Sequence, residues 1–162
     1  MNAMGRMRAW MVAAVAASLL AACASGPVRR VSEPAASIQQ LTVQADGSWS
    51  VDLRIENFSS IPMRFGAFRL PLTLGGQDAG TLQGDAGISI GPESADVVTF
   101  SHVPPSGARI ALADALADQR NIAYAFEGTL HATPEDRRAR QWDEVKRNSS
   151  LSPVPGRPGV LR

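Results

Sequence analysis

Trp49-Ser50-Val51-Asp52-Leu53-Arg54-Ile55-Glu56 alternates without a break: Trp49, Val51, Leu53 and Ile55 point one way, and Ser50, Asp52, Arg54 and Glu56 the other. A period of two with one apolar face is the pattern of a strand that lies on a core and turns its other face to water. Upstream, Ile38 to Gln44 places Leu41 and Val43 in the same alternation. Ala45-Asp46-Gly47-Ser48 between the two runs offers a glycine for positive φ, so together they predict a hairpin. Downstream, Asn57-Phe58-Ser59-Ser60-Ile61-Pro62 ends the strand, and Met63 to Leu74 carries the next one. There Met63 and Phe65 share one phase while Phe68, Leu70, Leu72 and Leu74 share the opposite one. One extra residue at Gly66-Ala67, a β-bulge, would keep both halves on one core. Pro71 falls on the outward phase and lacks a ladder N–H, which predicts an edge position.

The rest of the chain continues in this grammar. Gly75-Gly76-Gln77-Asp78 reads as a turn, Ala79 to Leu82 as a short strand, Gly84 to Gly87 as a loop and Ile88 to Ile90 as another short strand. After the Gly91-Pro92-Glu93-Ser94 turn, Asp96 to Val103 sets either Val98 and Phe100 with His102, or Val97 and Thr99, toward the core. Pro104-Pro105-Ser106-Gly107 stops that strand. Ile110, Leu112, Ala113, Leu116 and Ala117 then follow steps of three and four, predicting a helix over Arg109 to Asp118. Asn121 to His131 returns to period two. Pro134 to Asn148 fits two readings: a helix capped by Thr133, or a final edge strand centred on Trp142. Ser149 to Arg162 is rich in Ser, Pro and Gly and is expected to be a flexible tail. Six or seven short strands with one inserted helix make an all-β, antiparallel β-sandwich over 37–148 the expected fold.

The N-terminus sets the compartment. Arg6 and Arg8 precede an apolar run from Ala9 to Ala22 broken only by Ser18, the layout of a secretory signal. Its 14 residues fall short of the roughly 20 that cross a bilayer. Leu20-Ala21-Ala22-Cys23 resembles the lipobox of bacterial lipoproteins, which implies cleavage after residue 22 and lipid on Cys23. Residues 24–36 then read as a tether, and the expected location is the cell envelope, on the outer membrane facing the periplasm.

The mature chain would hold 140 residues, one domain's worth, with 14 basic residues against 15 acidic ones. Near neutrality argues against a nucleic-acid partner. The one basic cluster, Arg137, Arg138, Arg140, Lys146 and Arg147, is interrupted by Asp143 and Glu144 and reads as solvated surface. Cys23 is the only cysteine, so a lipidated chain has no disulfide.

No catalytic template assembles from the residues. There is no Gly-x-Ser-x-Gly elbow, and His102 and His131 both read as strand residues near prolines. Asp46-Gly47-Ser48 lacks the alternate carboxylates of a calcium loop, and His131 to Asp136 is too loose for zinc. Asp114 and Asp118 read as the wet face of the helix. The expectation is therefore a protein with no catalytic residues, no metal and no cofactor.

Ile55-Glu56-Asn57-Phe58-Ser59-Ser60-Ile61-Pro62-Met63, Phe68 to Gly76, Ile90-Gly91-Pro92 and Tyr124 to Leu130 together resemble the late embryogenesis abundant type 2 family, also called the water stress and hypersensitive response (WHy) domain. Phe58 stands where that family usually has Pro. The resemblance implies an Ig/fibronectin-III-like sandwich, no known catalytic residues, and an extended last segment. Its implied function is non-enzymatic protection or binding during desiccation and osmotic stress in the envelope. The partners would be the membrane, through lipid on Cys23, and stress-labile client or envelope proteins. The alternative is an accessory protein-interaction or lipid-handling module of an envelope assembly, docking through an exposed strand edge.

Overall fold

The computed structural model describes residues 29–135 and 142–162; Cys23 and the signal lie outside them, as do Arg137, Arg138 and Arg140. In chain order the elements are β1 (Ala35–Val43), β2 (Trp49–Asn57), β3 (Met63–Leu74), β4 (Gln77–Ile90), β5 (Ser94–His102), α1 (Ser106–Ala117), β6 (Ile122–Pro134), β7 (Trp142–Leu151) and β8 (Val160–Leu161). They build two four-stranded sheets, ordered β5-β2-β1-β8 and β4-β3-β6-β7, with antiparallel pairing throughout. This is the all-β sandwich with one short helix that the alternation calls for.

The core forms where the two inward phases meet. Trp49, Val51, Leu53 and Ile55 of β2 and Met63, Phe65, Leu70, Leu72 and Leu74 of β3 are at most 1% exposed, and Phe126 and Leu130 of β6 join them. Each such side chain contributes about 1.5–3 kcal/mol of burial. The expected hairpin is present, Val43 pairing with Trp49 across the Asp46-Gly47 turn. The expected bulge is present too: Phe65 pairs with Ala132 and Phe68 with Leu130, so Gly66 and Ala67 together face His131.

Several expectations are corrected. Pro71 is not at an edge, because β3 lies between β4 and β6. The strand tolerates it where the ladders are irregular: the β4 register slips between Pro71 and Thr73, and on β6 the nearby Gly128, across from Leu70, has no side chain. A Cβ on Gly128 would run into the carbonyl oxygen of Arg69 and lie 3.0 Å from Pro71 Cδ, so the missing side chain makes room for the ring. Residues 77–90 form one strand rather than two short ones with a loop. Gly80 and Gly87, at φ +80° and +60°, take up the extra residues as bulges.

The helix starts three residues earlier than its pattern implies and buries Ala108, Leu112 and Ala115, while Ile110 is 63% exposed. Of the two readings left open for 134–148, the strand prevails: β7 pairs with β6 from Trp142 to Leu151. The segment 149–162 is not a loose tail. Ser149 to Leu151 finish β7, Val160 and Leu161 pair with Thr42 and Leu41, and both are buried. Two apolar residues placed opposite β1 outweigh the composition around them. The sheet also begins at Ala35, inside the stretch 23–36 read as a tether.

Candidate functional site at the Asn57–Ile61 loop

Asn57 closes β2 and is 2% exposed. A buried amide must find partners, and this one finds them in three carbonyls: Nδ2 donates toward Ile61 O at 2.9 Å, Ile90 O at 3.1 Å and Gly91 O at 2.8 Å. Its Oδ1 accepts from Ser59 N at 2.9 Å, an Asx turn that curls the loop back on itself. Ser59, fully buried, accepts at Oγ from Ser32 N at 3.0 Å and donates to Ser32 O at 3.3 Å. Ser60 accepts at Oγ from Arg30 N at 2.8 Å and donates its N–H to Arg30 O at 2.9 Å. Residues 30–32 are thereby clasped to the loop before β1 begins.

Charge adds little to this clasp. Arg30 Nη2 lies 3.2 Å from Glu93 Oε1 and donates to Phe58 O at 3.3 Å, but both ion-pair side chains are over 60% exposed. Pairs so exposed contribute at most about 1 kcal/mol. The buried Asn57 amide and Ser59 hydroxyl, with the half-buried Ser60, hold the segment; Glu93 N–H to Ser59 O and Glu135 N–H to Pro62 O tie in the neighbouring turns. Phe58, at the tip, is 48% exposed.

At the opposite end of β2, His102 is half-buried. Its Nε2 lies 2.6 Å from Ala79 O, and its ring tilts against Trp49 with centroids 5.9 Å apart. This places His102 as a strut between the two sheets. His131 stands exposed on β6, Asp114 is exposed on α1, and Asp118 is exposed just past the end of α1. Asp46 accepts from both Ser48 N and Ser48 Oγ; these bonds favour the carboxylate and hold its pKa below the usual value. Lys146 Nζ sits 2.6 Å from Glu127 Oε2, which raises the lysine's pKa. None of these side chains is brought beside another in a nucleophile–base arrangement. Among the described residues no three His, Cys, Asp or Glu gather as a metal site would need, and no helix is long and apolar enough to cross a membrane.

A groove of about 330 Å³ runs between the end of α1 and the 153–159 turn, lined by Leu116, Ala117, Pro153, Val154 and Pro158 with Gln119 and Arg157. The Asn57–Ser59 clasp was not singled out by residue chemistry alone, where the same residues read only as the end of β2. The available signal was Asn followed two residues later by Ser, the pattern of an Asx turn.

No family model matches the chain, and no curated protein matches it. Among solved structures, a protein described as late embryogenesis abundant is similar at 13% identity and a TM-score of 0.45, covering 91% of this chain and 86% of its own. A protein from Archaeoglobus fulgidus is similar at 16% identity and a TM-score of 0.42, covering 77% of this chain and 98% of its own. One from Arabidopsis thaliana is similar at 10% identity and a TM-score of 0.48, covering 82% of this chain and 85% of its own. Likenesses of this size concern strand arrangement and say nothing of activity.

Proposed function

We propose that this protein is a lipid-anchored, non-enzymatic β-sandwich of the WHy type that protects or holds other proteins of the bacterial envelope during drying and osmotic stress. Cys23 carries the lipid, and the outer membrane is the expected site. One observation bears on the anchored arrangement: the chain is held to the folded body from Arg30 onward, through the buried Ser59 and the half-buried Ser60. The tether is then only the residues between Cys23 and Arg30. At about 3.3–3.6 Å per residue those seven steps reach about 25 Å at most, where a tether running to Ala36 would reach about 45 Å. The body therefore stays close to the headgroups, with the Asn57–Ile61 loop nearest to them. Nothing in the geometry of His102, His131, Asp114 or Asp118 calls for a reaction centre, which favours binding by the folded body.

The test is a deletion strain scored for survival of drying and osmotic shock, complemented with wild type or with Cys23→Ser. Wild type should restore survival and Cys23→Ser should not, although its domain folds. Equal rescue by both would refute the anchored reading. Crosslinking of the tethered protein before and after stress separates a client-holding role from a standing place in an envelope assembly: stress-dependent partners support the former.

A further inference from the structure

We propose that Phe58 seats in the lipid interface of the membrane, so that the sandwich stands end-on at the bilayer with the Asn57–Ile61 loop down. The inference rests on the anchored reading above and names the partner of that loop. Phe58, Val103 and Ile110 are the large apolar side chains left exposed among the described residues. A single exposed apolar residue is ordinary on a protein surface, so its place has to carry the argument.

The three lie at opposite ends of the body. Asn57 pairs with Ser94 at one end of β2, next to Phe58, and Trp49 pairs with His102 at the other, next to Val103. Ile110 belongs to α1, which packs by the Gly47 and Gly75 turns at that second end. The nine residues of β2, rising about 3.3 Å each, set the two ends about 26–30 Å apart. The N-terminal segment leaves the body beside Phe58: Arg30 Nη2 donates to Phe58 O at 3.3 Å, and Arg30 N donates to Ser60 Oγ at 2.8 Å. A tether of about 25 Å at most, starting there, lets the tip touch lipid while slack. Val103 and Ile110 reach lipid only if the body lies down or hangs inverted on a stretched tether.

The loop presents Phe58 without needing its ring. The Asx turn uses Asn57 Oδ1 and Ser59 N, and the main chain on both sides is pinned, so the fold leaves the side chain at position 58 open to choice. Pro92, exposed on the adjoining turn that Glu93 N–H ties to Ser59 O, adds apolar surface beside the tip. Arg30 is already paired with Glu93, so the contact depends on buried apolar area and needs no anionic lipid. One aromatic ring binds an interface weakly, but a short tether makes the contact intramolecular, and a weak affinity then suffices to orient the body.

The test uses the full lipidated chain in vesicles of phosphatidylcholine. With Cys23 acylated, an introduced cysteine is the only thiol, so Phe58→Cys, Val103→Cys and Ile110→Cys can each carry one environment-sensitive fluorophore. Nitroxide lipids should quench the label at 58 several-fold more than the labels at 103 and 110, which start from equally exposed positions. A label at Pro92→Cys, beside an intact Phe58, should also be quenched, and Phe58→Glu in the same chain should reduce that quenching several-fold with the circular dichroism unchanged. Equal quenching at 58, 103 and 110, or quenching at 92 that Phe58→Glu leaves as it was, would overturn the proposal and leave the anchored reading standing. A position 58 that crosslinks in cells to another protein or to a second copy, and is not quenched in vesicles, would overturn it in the same way. A free thiol at Cys23 in the purified protein would overturn both.

Discussion

At the scale of single residues, Asn57 carries more than its size implies, because one amide serves four backbone groups. Asn57→Ala strands carbonyls at Ile61 and Ile90 in the interior, and each unsatisfied group costs about 1–3 kcal/mol. The expected loss is about 3 kcal/mol, read as a lower urea midpoint at unchanged slope. Asn57→Asp should lose more, since it turns an oxygen toward those carbonyls. Leu53→Ala should cost about 2–5 kcal/mol through lost burial and a cavity. Arg54→Ala, next along and half-exposed with Glu56, should cost about 0.5 kcal/mol or less. Equal losses from these two would contradict the register of β2.

Asp46 gives a pH signature of defined sign. Its folded pKa lies below the ordinary 3.8 because Ser48 bonds to the carboxylate. The contribution is therefore complete above that ordinary value and lost as pH falls through the lower folded one. Asp46→Asn should flatten the acid limb of the stability profile in that window and leave the profile near neutrality unchanged in slope. An unaltered acid limb would show that the turn does not favour the charged form.

Among the elements, β2 and the bulged β3 were legible because their alternation is strong and both inward phases are buried. What escaped were places where pairing overrules composition. Pro71 pointed to an edge, but a proline can occupy a central strand where a neighbouring glycine gives up its side chain. Gly84 to Gly87 pointed to a loop, but β3 runs long enough beside it to hold a bulged strand. The Pro- and Gly-rich end pointed to a tail, but Val160 and Leu161 fill a place on β1. The candidate site was half legible: the loop was visible as a boundary, while its partners in residues 30–32 and 90–93 are far off in sequence and no local pattern names them.

Gly128→Ala tests the element-level account. It should be among the most damaging small substitutions in the chain, because its methyl meets backbone at Arg69. Gly76→Ala, in open space at φ +78°, should cost only about 1–2 kcal/mol for its left-handed conformation. Similar losses in thermal melts would mean that Pro71 does not need the space Gly128 leaves.

For the whole molecule, the sandwich supplies the folded body and, in the function proposed above, the N-terminal motif supplies its address. His131→Ala, Asp114→Ala and Asp118→Ala change exposed positions and should leave stress survival near wild type. His102→Ala should lower stability by removing a strut between sheets, with survival following the amount of folded protein. A folded, abundant variant of His131, Asp114 or Asp118 that failed to protect would instead reveal a reaction centre. The central claim, a folded body held at the membrane by lipid on a short tether, is tested most directly by intact mass and fragment spectrometry of the protein purified from membranes. The expected result is a chain beginning at Cys23 with a thioether-linked diacylglyceryl group and its new amino terminus acylated. Two or three acyl chains, at about 0.8 kcal/mol for each buried CH₂, hold a protein in a bilayer where one does not. A mature chain carrying a free thiol at Cys23, or one cleaved beyond it, would contradict the account.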